Sequence, residues 1–186
     1  MPRLVPPTTE VRESFLAAML EFRAEGRGVP TDLSAVSHEI QTFGGTWGTP
    51  AGFASYVEQL RADALEESPR REGWVPSTNL WYVEGNEYYG RLAIRHRLTP
   101  FLRDIGGHIG YDVRRSARRR GYATRMLREA LPIARGLGID SVLVTCDLDN
   151  VASCKVIEAS GGVLEDQRGG KLRFWIPAGR VAPEAR

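Results

Sequence analysis

A nearly all-apolar run, IDSVLVTCDL at 139–148, constrains the fold of this chain more than any other feature. Its length and composition predict a strand that is buried on both faces of a sheet. The helical pattern YATRMLREALPIARGLG (122–138) precedes it, and GGHIGYDV (106–113) comes before that helix and predicts another strand. Two strands joined through a helix are expected to lie parallel in one sheet. Ligands usually sit where such a strand leads into its helix.

The first third of the chain is helical in pattern. Apolar residues recur at helical spacing in 11–26 and in 50–67, which predicts two amphipathic helices. Between them, VPTDLSAVSHEIQTFGGTWGTP (29–50) is rich in Gly, Pro, Ser and Thr, and is expected to be a long irregular connection. Phe43 and Trp47 within it are candidates for a lid on the substrate side, although packing explains them equally well.

After residue 77 the pattern changes to short β-rich runs. A Gly-Asn dipeptide separates two of them in 78–98 and predicts a hairpin. Asn150 is expected to cap a short helix over 150–160, and KLRFWIP (171–177) is expected to be the final strand. The order is two helices, a β-meander and then β-α-β-α-β, which predicts an α/β domain with a mixed sheet.

The length of 186 residues suits one domain with an elaboration. We expect an N-terminal helical extension over 1–70 that packs on a core over 71–178, followed by a tail over 179–186. A net charge of +2 does not call for nucleic acid or an anionic membrane as a partner. The sequence shows no apolar run of membrane-spanning length and no signal-peptide pattern, so a cytoplasmic protein is expected. The two cysteines offer no zinc-binding spacing, and no metal is expected.

The informative charge is local, because a run of arginines falls between the strand at 106–113 and the following helix. The first N–H groups of a helix have no partners within the helix, and the helix dipole adds positive potential there. Gly121 leaves the backbone open to a phosphate, and the neighbouring arginines add charged donors. The run is therefore either a site for a pyrophosphate or a solvated basic face.

The segment YDVRRSARRRGYATRML (111–127) resembles the acyl-CoA-binding motif of the GNAT superfamily of N-acetyltransferases. The family pattern has a strand ending in Val, followed by Arg/Gln-x-x-Gly-x-Gly/Ala opening a helix. The matching residues are Val113, Arg118, Gly121 and Ala123. The resemblance covers roughly 81–177, and the whole chain also looks similar to a small branch of predicted acetyltransferases with an N-terminal helical extension.

The resemblance implies a fold and a way of holding acetyl-CoA. The implied fold is an α/β (α+β) sandwich whose mixed, mostly antiparallel sheet has one splayed parallel strand pair and helices on both faces. Backbone pairing with the pantetheine amides, like an added strand, is implied for Tyr111, Asp112 and Val113. Contact with the pyrophosphate is implied for Arg118, Arg119, Arg120, Gly121, Tyr122 and Ala123.

A second motif follows the buried strand. DNVASCKVIEASGG (149–162) resembles the family segment that begins Asn-x-x-Ser/Ala, and Asn150 and Ser153 match the positions implied to meet the pantetheine arm. Asn150 also suits a helix cap, and Ser153 suits an ordinary helix surface. Many family members place a Tyr in this helix as the acid that protonates the leaving thiolate, but the aligned residue here is Ile157.

The implied reaction moves an acetyl group from acetyl-CoA to an unidentified primary amine by direct attack in a ternary complex. The amine must lose a proton, and His108 is the candidate base because its usual pKa suits the task, with Asp112 as the alternative. A catalytically weak CoA-binding protein and a module that binds nucleic-acid phosphates are the other hypotheses. The near-neutral total charge argues against the second. A homodimer is compatible with the sequence.

Overall fold

The computed structural model describes residues 1–32 and 34–179, so the expected tail lies, apart from Gly179, outside the described residues. The helices are α1 Arg12–Ala24, α2 Ala35–Phe43, α3 Pro50–Ala62, α4 Tyr122–Gly136 and α5 Val151–Ala159. The strands are β1 Arg3–Val5, β2 Ser77–Glu84, β3 Glu87–Arg95, β4 Ile109–Val113, β5 Ser141–Asp147, β6 Val163–Arg168 and β7 Lys171–Pro177. A π-helical turn at Leu102–Gly106 leads into β4.

The strands form one seven-stranded sheet in the order β1-β2-β3-β4-β5-β7-β6. Every neighbouring pair is antiparallel except β4 and β5. Those two parallel strands pair only at Ile109 and Val144, beyond which they separate. The predicted mixed, mostly antiparallel sheet with one splayed parallel pair is therefore confirmed.

Helices cover both faces of this sheet. On one face, α4 and α5 bury aliphatic side chains against β3, β4, β5 and β7, with Met126, Leu127 and Ala130 completely enclosed. On the other face, α1, α2 and α3 enclose an aromatic cluster centred on Phe15, which packs on Trp81 at 5.1 Å between ring centroids. No helix in the described residues is long and apolar enough to cross a bilayer.

The expected long irregular connection at 29–50 is wrong in its middle, where α2 lies. The Ser34 side chain caps this helix by accepting a hydrogen bond from the Ser37 N–H at 3.2 Å, and Val36 and Ile40 turn one apolar face inward. Trp47 follows α2 and is buried against Phe15 at 5.0 Å, so it belongs to the core and not to a lid. The many turn-forming residues around α2 conceal its short apolar stripe.

Two strands, β1 and β6, were not predicted from the sequence. They occupy the two edges of the sheet. No residue of β6 is buried, so the strand lacks the alternation of apolar and polar residues that marks a half-buried strand. β1 has only three residues. Edge strands gain much of their stability from backbone pairing with a neighbour, which leaves little trace in the side-chain pattern.

Candidate functional site

The loop between β4 and α4 presents a row of free backbone N–H groups. Arg119 and Gly121 both adopt positive φ, at 66° and 74°, which turns successive N–H groups toward one point. α4 begins at Tyr122 without a side-chain cap. Within the described part of the chain, the N–H groups from Arg119 to Thr124 make no hydrogen bond. We call these residues, 119–124, the amide nest.

The amide nest is open where an anion would approach. A Cβ built on Gly121 would meet no heavy atom within 4 Å, so the space above this residue is free. The side chains of Arg119 and Arg120 are exposed beside it. Free N–H groups, the helix dipole and two cationic side chains together make a site suited to a phosphate group.

Two other arginines of the run, Arg114 and Arg118, make structural contacts. Arg114 donates from Nε to Glu21 at 2.9 Å, and Arg118 forms a two-bond contact with Glu25 at 2.6 and 2.7 Å. The Nε of Arg118 also donates to the Val113 carbonyl at 2.9 Å. Burial would raise the pKa of Glu21, but hydrogen bonds from Arg114 and from Ser116 outweigh it and lower the pKa. These contacts tie α1 to the loop before α4.

The gap between β4 and β5 exposes one backbone edge of β4. Hydrogen bonds from Arg114 N–H to the Tyr89 carbonyl and from Arg95 N–H to the His108 carbonyl show that even-numbered residues of β4 face β3. Backbone groups alternate in direction along a strand, so those of Tyr111 and Val113 face the gap. The Val113 carbonyl is occupied by Arg118, which leaves its N–H and both groups of Tyr111 available for a ligand.

Side chains from β4 and α5 meet across the gap. The Tyr111 hydroxyl lies 2.7 Å from the Ser153 hydroxyl, and burial raises the pKa of Tyr111 to about 12. Asn150 caps α5 by accepting the Ser153 N–H at 3.0 Å. The structure thus brings Tyr111, Ser153 and Asn150 together on one side of the amide nest.

Asp112 is separated from this group. Its backbone pairs with Arg91 of β3, and its carboxylate accepts a hydrogen bond from Arg27 at 3.0 Å on the opposite face of the sheet. The expected backbone pairing of Asp112 with pantetheine therefore does not fit the structure, because backbone groups alternate in direction along a strand. A residue whose backbone is used by β3 has no free N–H to offer a ligand in the gap.

His108 joins the two parallel strands. Its own N–H donates to the Leu143 carbonyl at 2.7 Å, and its Nδ1 accepts the Leu143 N–H at 3.0 Å. Burial, with smaller contributions from the charges of Arg103 and Arg95, lowers the pKa of His108 to about 4. The ring is therefore neutral near pH 7, and the nitrogen that could take a proton is already occupied.

The other side chains considered for catalysis near the gap are poor acids or poor nucleophiles. Ile157 is completely buried and offers no proton. Burial raises the pKa of Cys146 to about 11 and also raises the pKa of Cys154, so both thiols are poor nucleophiles near neutral pH. Among the described residues no group of three or more His, Cys, Asp or Glu side chains could hold a metal ion.

A cavity of about 390 Å³ lies on the other face of the sheet, between α2, the segment 73–75 and strands β2 and β3. Its lining comes from segments far apart in sequence, which is why sequence patterns did not reveal it. A larger depression of about 530 Å³ lies beside β1 and the β2–β3 turn, away from β4. The smaller cavity reaches Arg95, whose guanidinium lies beside Gly110 of β4, and is therefore the one closer to β4.

The sequence matches the family model described as an acetyltransferase (GNAT) domain over residues 11–163. The matched region is most of the chain and contains the amide nest, the gap and α5. The chain therefore belongs to the GNAT acetyltransferase family, whose members are acyl-CoA-dependent enzymes. No curated protein matches this sequence.

Solved structures share the fold. RimJ of Mycobacterium smegmatis, in complex with CoA-disulfide, is 19% identical with a TM-score of 0.64, over 96% of this chain and 83% of that one. RimL, a ribosomal L7/L12 α-N-protein acetyltransferase in complex with coenzyme A, is 15% identical with a TM-score of 0.60, over 96% of each chain. The ribosomal-protein-S5-alanine acetyltransferase of Vibrio fischeri is 15% identical with a TM-score of 0.59, over 98% of this chain and 94% of that one.

Proposed function

We propose that this protein moves an acetyl group from acetyl-CoA to a primary amine by direct attack in a ternary complex. The observation that carries the proposal is the amide nest opening beside the unpaired edge of β4. The amide nest matches a nucleotide pyrophosphate, and the unpaired edge of β4 matches the amide-bearing pantetheine arm. RimJ and RimL, which share the fold, are described as complexes with CoA-disulfide and with coenzyme A.

In this proposal the pyrophosphate accepts hydrogen bonds from the amide nest, and Arg119 and Arg120 balance its charge. Pantetheine then follows β4 from Val113 toward Tyr111, pairing with the backbone groups that face the gap. Ser153 of α5 lies opposite β4 and contacts the Tyr111 hydroxyl across the gap. The thioester would lie near Ile109, where β4 and β5 begin to separate.

The chemistry requires a neutral amine. Its nitrogen attacks the thioester carbon, a C–N bond forms, and the C–S bond then breaks with its electron pair leaving on sulfur. Water takes the proton from nitrogen, since Nδ1 of His108 is occupied by Leu143 and the Asp112 carboxylate by Arg27. The thiolate is protonated by water, because Ile157 replaces the acid seen in many relatives. A backbone N–H of the gap stabilises the developing oxyanion.

Two alternatives carry less support. An acyl-cysteine intermediate needs a reactive thiolate, whereas burial raises the pKa of Cys154. A nucleic-acid module needs free cationic side chains, whereas Arg114 and Arg118 are paired with Glu21 and Glu25. The cytoplasmic location and the homodimer stay predictions.

Initial-rate kinetics test the proposal. Release of free CoA would be measured with acetyl-CoA and a panel of amines, namely short peptides with free N-termini, lysine, spermidine and kanamycin, with mass spectrometry of each product. Direct attack predicts intersecting double-reciprocal plots when both substrates vary. Parallel plots would contradict it in favour of a covalent intermediate. CoA binding without acetylation of any amine would favour the catalytically weak alternative.

A further inference from the structure

The 390 Å³ cavity has a polar floor and an aromatic mouth. Its floor is the face of β2 and β3 that carries Asn79, Arg91 and Arg95, and α2 contributes one wall through His38 and Glu39. A small cavity with a few converging polar groups and apolar walls is the usual form of a small-molecule site. The charges on its floor therefore indicate what it binds.

Most of the floor charges already have partners. Glu39 contacts Arg91 as a buried ion pair and accepts a hydrogen bond from the Tyr56 hydroxyl at 2.7 Å. Asp63 accepts hydrogen bonds from the side-chain amides of Asn79 at 3.1 Å and Gln59 at 3.2 Å. Glu39 and Arg91 therefore balance each other's charge, and Asp63 has its hydrogen bonds from neutral amides.

Arg95 is different, because its charge has no counterpart. Its Nη1 donates to the carbonyls of Gly106 at 2.9 Å and Gly107 at 3.1 Å. Among the described residues no carboxylate lies within salt-bridge distance of it, and its Nε and Nη2 make no hydrogen bond. Burial, with a further contribution from the charge of Arg91, lowers the pKa of Arg95 to about 10. A partly buried cation without a counter-ion is costly, and an anion that joins it removes much of that cost.

The mouth of the cavity carries exposed aromatic side chains. Trp74 is 53% exposed and Phe101 is 66% exposed. The His38 ring meets Trp74 edge-on at 4.9 Å, and the Arg71 guanidinium lies 5.9 Å from the Trp74 ring centroid. Large apolar side chains left exposed at the rim of a cavity indicate a surface that a ligand covers.

The inner end of the cavity reaches β4. The Nη2 and Nη1 atoms of Arg95 lie 3.7 and 3.8 Å from the position of a Cβ built on Gly110. Gly110 follows Ile109, the point at which β4 and β5 separate. A ligand held by Arg95 would therefore lie on the opposite face of β4 from the Tyr111 side chain, close to the proposed thioester.

We propose that this cavity binds the amine acceptor, and that the acceptor carries a carboxylate which pairs with Arg95 while its apolar part lies against Trp74 and Phe101. The fork of the guanidinium fits two oxygens of one planar anion. A dianionic phosphate fits less well, because Glu39 and Asp63 line the same cavity. The assignment as acceptor rests on the proposed acetyl transfer, whereas the carboxylate site does not.

Binding of matched probes tests the site without any reaction. The affinities of 3-phenylpropionate, 3-phenylpropionamide and phenyl phosphate would be measured by calorimetry on the wild-type protein, Arg95→Gln and Arg95→Lys. Arg97→Gln serves as control, since Arg97 is exposed and pairs with Glu66 outside the cavity. Circular dichroism and CoA affinity would verify that each variant folds.

We expect 3-phenylpropionate to bind the wild-type protein at least about tenfold more tightly than its amide, as loss of one charge-assisted contact implies. Arg95→Gln should abolish that difference, Arg95→Lys should keep part of it, and Arg97→Gln should leave it unchanged. Equal binding of acid and amide by the wild-type protein would overturn the proposal even if Arg95→Gln fails to fold. Tighter binding of phenyl phosphate would overturn the choice of carboxylate.

Turnover separates this proposal from the proposed function. Acetylation of phenylalanine would be compared with acetylation of phenylalaninamide at saturating acetyl-CoA, and a preference of at least about tenfold in kcat/KM for the acid is expected. A preference for the amide would contradict the acceptor assignment. If the carboxylate probe binds through Arg95 and CoA binds as well, but no amine is acetylated, the anion site stands and the acetyl-transfer proposal fails.

Discussion

At the scale of single residues, chemical type was easier to predict from the sequence than hydrogen-bond partners. His108 was a candidate base because histidine usually titrates near neutral pH, but its Nδ1 accepts the Leu143 N–H and burial depresses its pKa. Asp112 was a candidate beside it, but strand alternation turns its carboxylate toward Arg27. We propose that His108 positions the two parallel strands and does not take the proton.

The pH dependence of stability tests this role for His108. Its folded-state pKa of about 4 lies below the usual histidine value of 6.5, so the neutral ring stabilises the fold fully above pH 6.5. That contribution, up to roughly 3 kcal/mol, is lost as the pH falls toward 4. Urea unfolding between pH 7 and pH 4.5 should show a shallower fall in the free energy of unfolding for His108→Gln than for the wild-type protein.

His96→Gln is the matched control, because burial also lowers the pKa of His96, but its ring follows β3 and bonds to Thr78, so it does not join β4 to β5. Identical pH curves for His108→Gln and the wild-type protein would contradict the structural role. A general-base role would be supported if His108→Gln kept normal stability but shifted the acidic limb of the pH–rate profile.

At the scale of elements, strong apolar periodicity predicted α1, α3, α4 and the central strands. The sequence did not predict α2, β1 and β6. A serine caps α2, and β1 and β6 are held by backbone pairing at the sheet edges, and side-chain patterns report both kinds of contact weakly. The arginine run also has a second role, since Arg114 and Arg118 fasten α1 to the loop before α4. That role depends on Glu21 and Glu25, which lie far from the run in sequence.

The carboxylates of Glu21, in α1, and of Glu25, just after it, should contribute unequally to stability. Glu21 is partly buried and bonds both to the guanidinium of Arg114 and to Ser116, so Glu21→Gln should cost about 1–3 kcal/mol. The exposed pair of Glu25 with Arg118 should contribute less than about 1 kcal/mol. Urea unfolding at pH 7 measures both. A cost for Glu25→Gln that equals or exceeds the cost for Glu21→Gln would contradict this account.

At the scale of the whole molecule, the sheet separates the two proposed binding sites. The amide nest and the gap lie on the side of α4 and α5, and the cavity with Arg95 lies under α2. Sequence motifs predicted the first, because its residues are nearly contiguous. They could not predict the second, because the cavity forms only when α2, β2, β3 and the π-helical turn come together.

The modest net charge of +2 and the paired arginines predict weak binding to nucleic acid. Fluorescence anisotropy with a random DNA duplex at 50 and 200 mM salt measures this. We expect little binding at either concentration, because the total charge is near neutral and Arg114 and Arg118 are held by carboxylates, so few counterions would be displaced. Tight binding with a steep dependence on salt would instead favour the phosphate-backbone module.

The central claim is that the amide nest holds the pyrophosphate of acetyl-CoA, and calorimetry of CoA binding to Gly121→Val tests it most directly. Gly138→Val is the matched control, because Gly138 also has positive φ and open space at its Cβ but lies beyond the other end of α4. Gly121→Val should weaken CoA binding about 10–100-fold by blocking contacts to the phosphates, whereas Gly138→Val should not. Unchanged CoA affinity in a folded Gly121→Val protein, or an equal loss in Gly138→Val, would contradict the account.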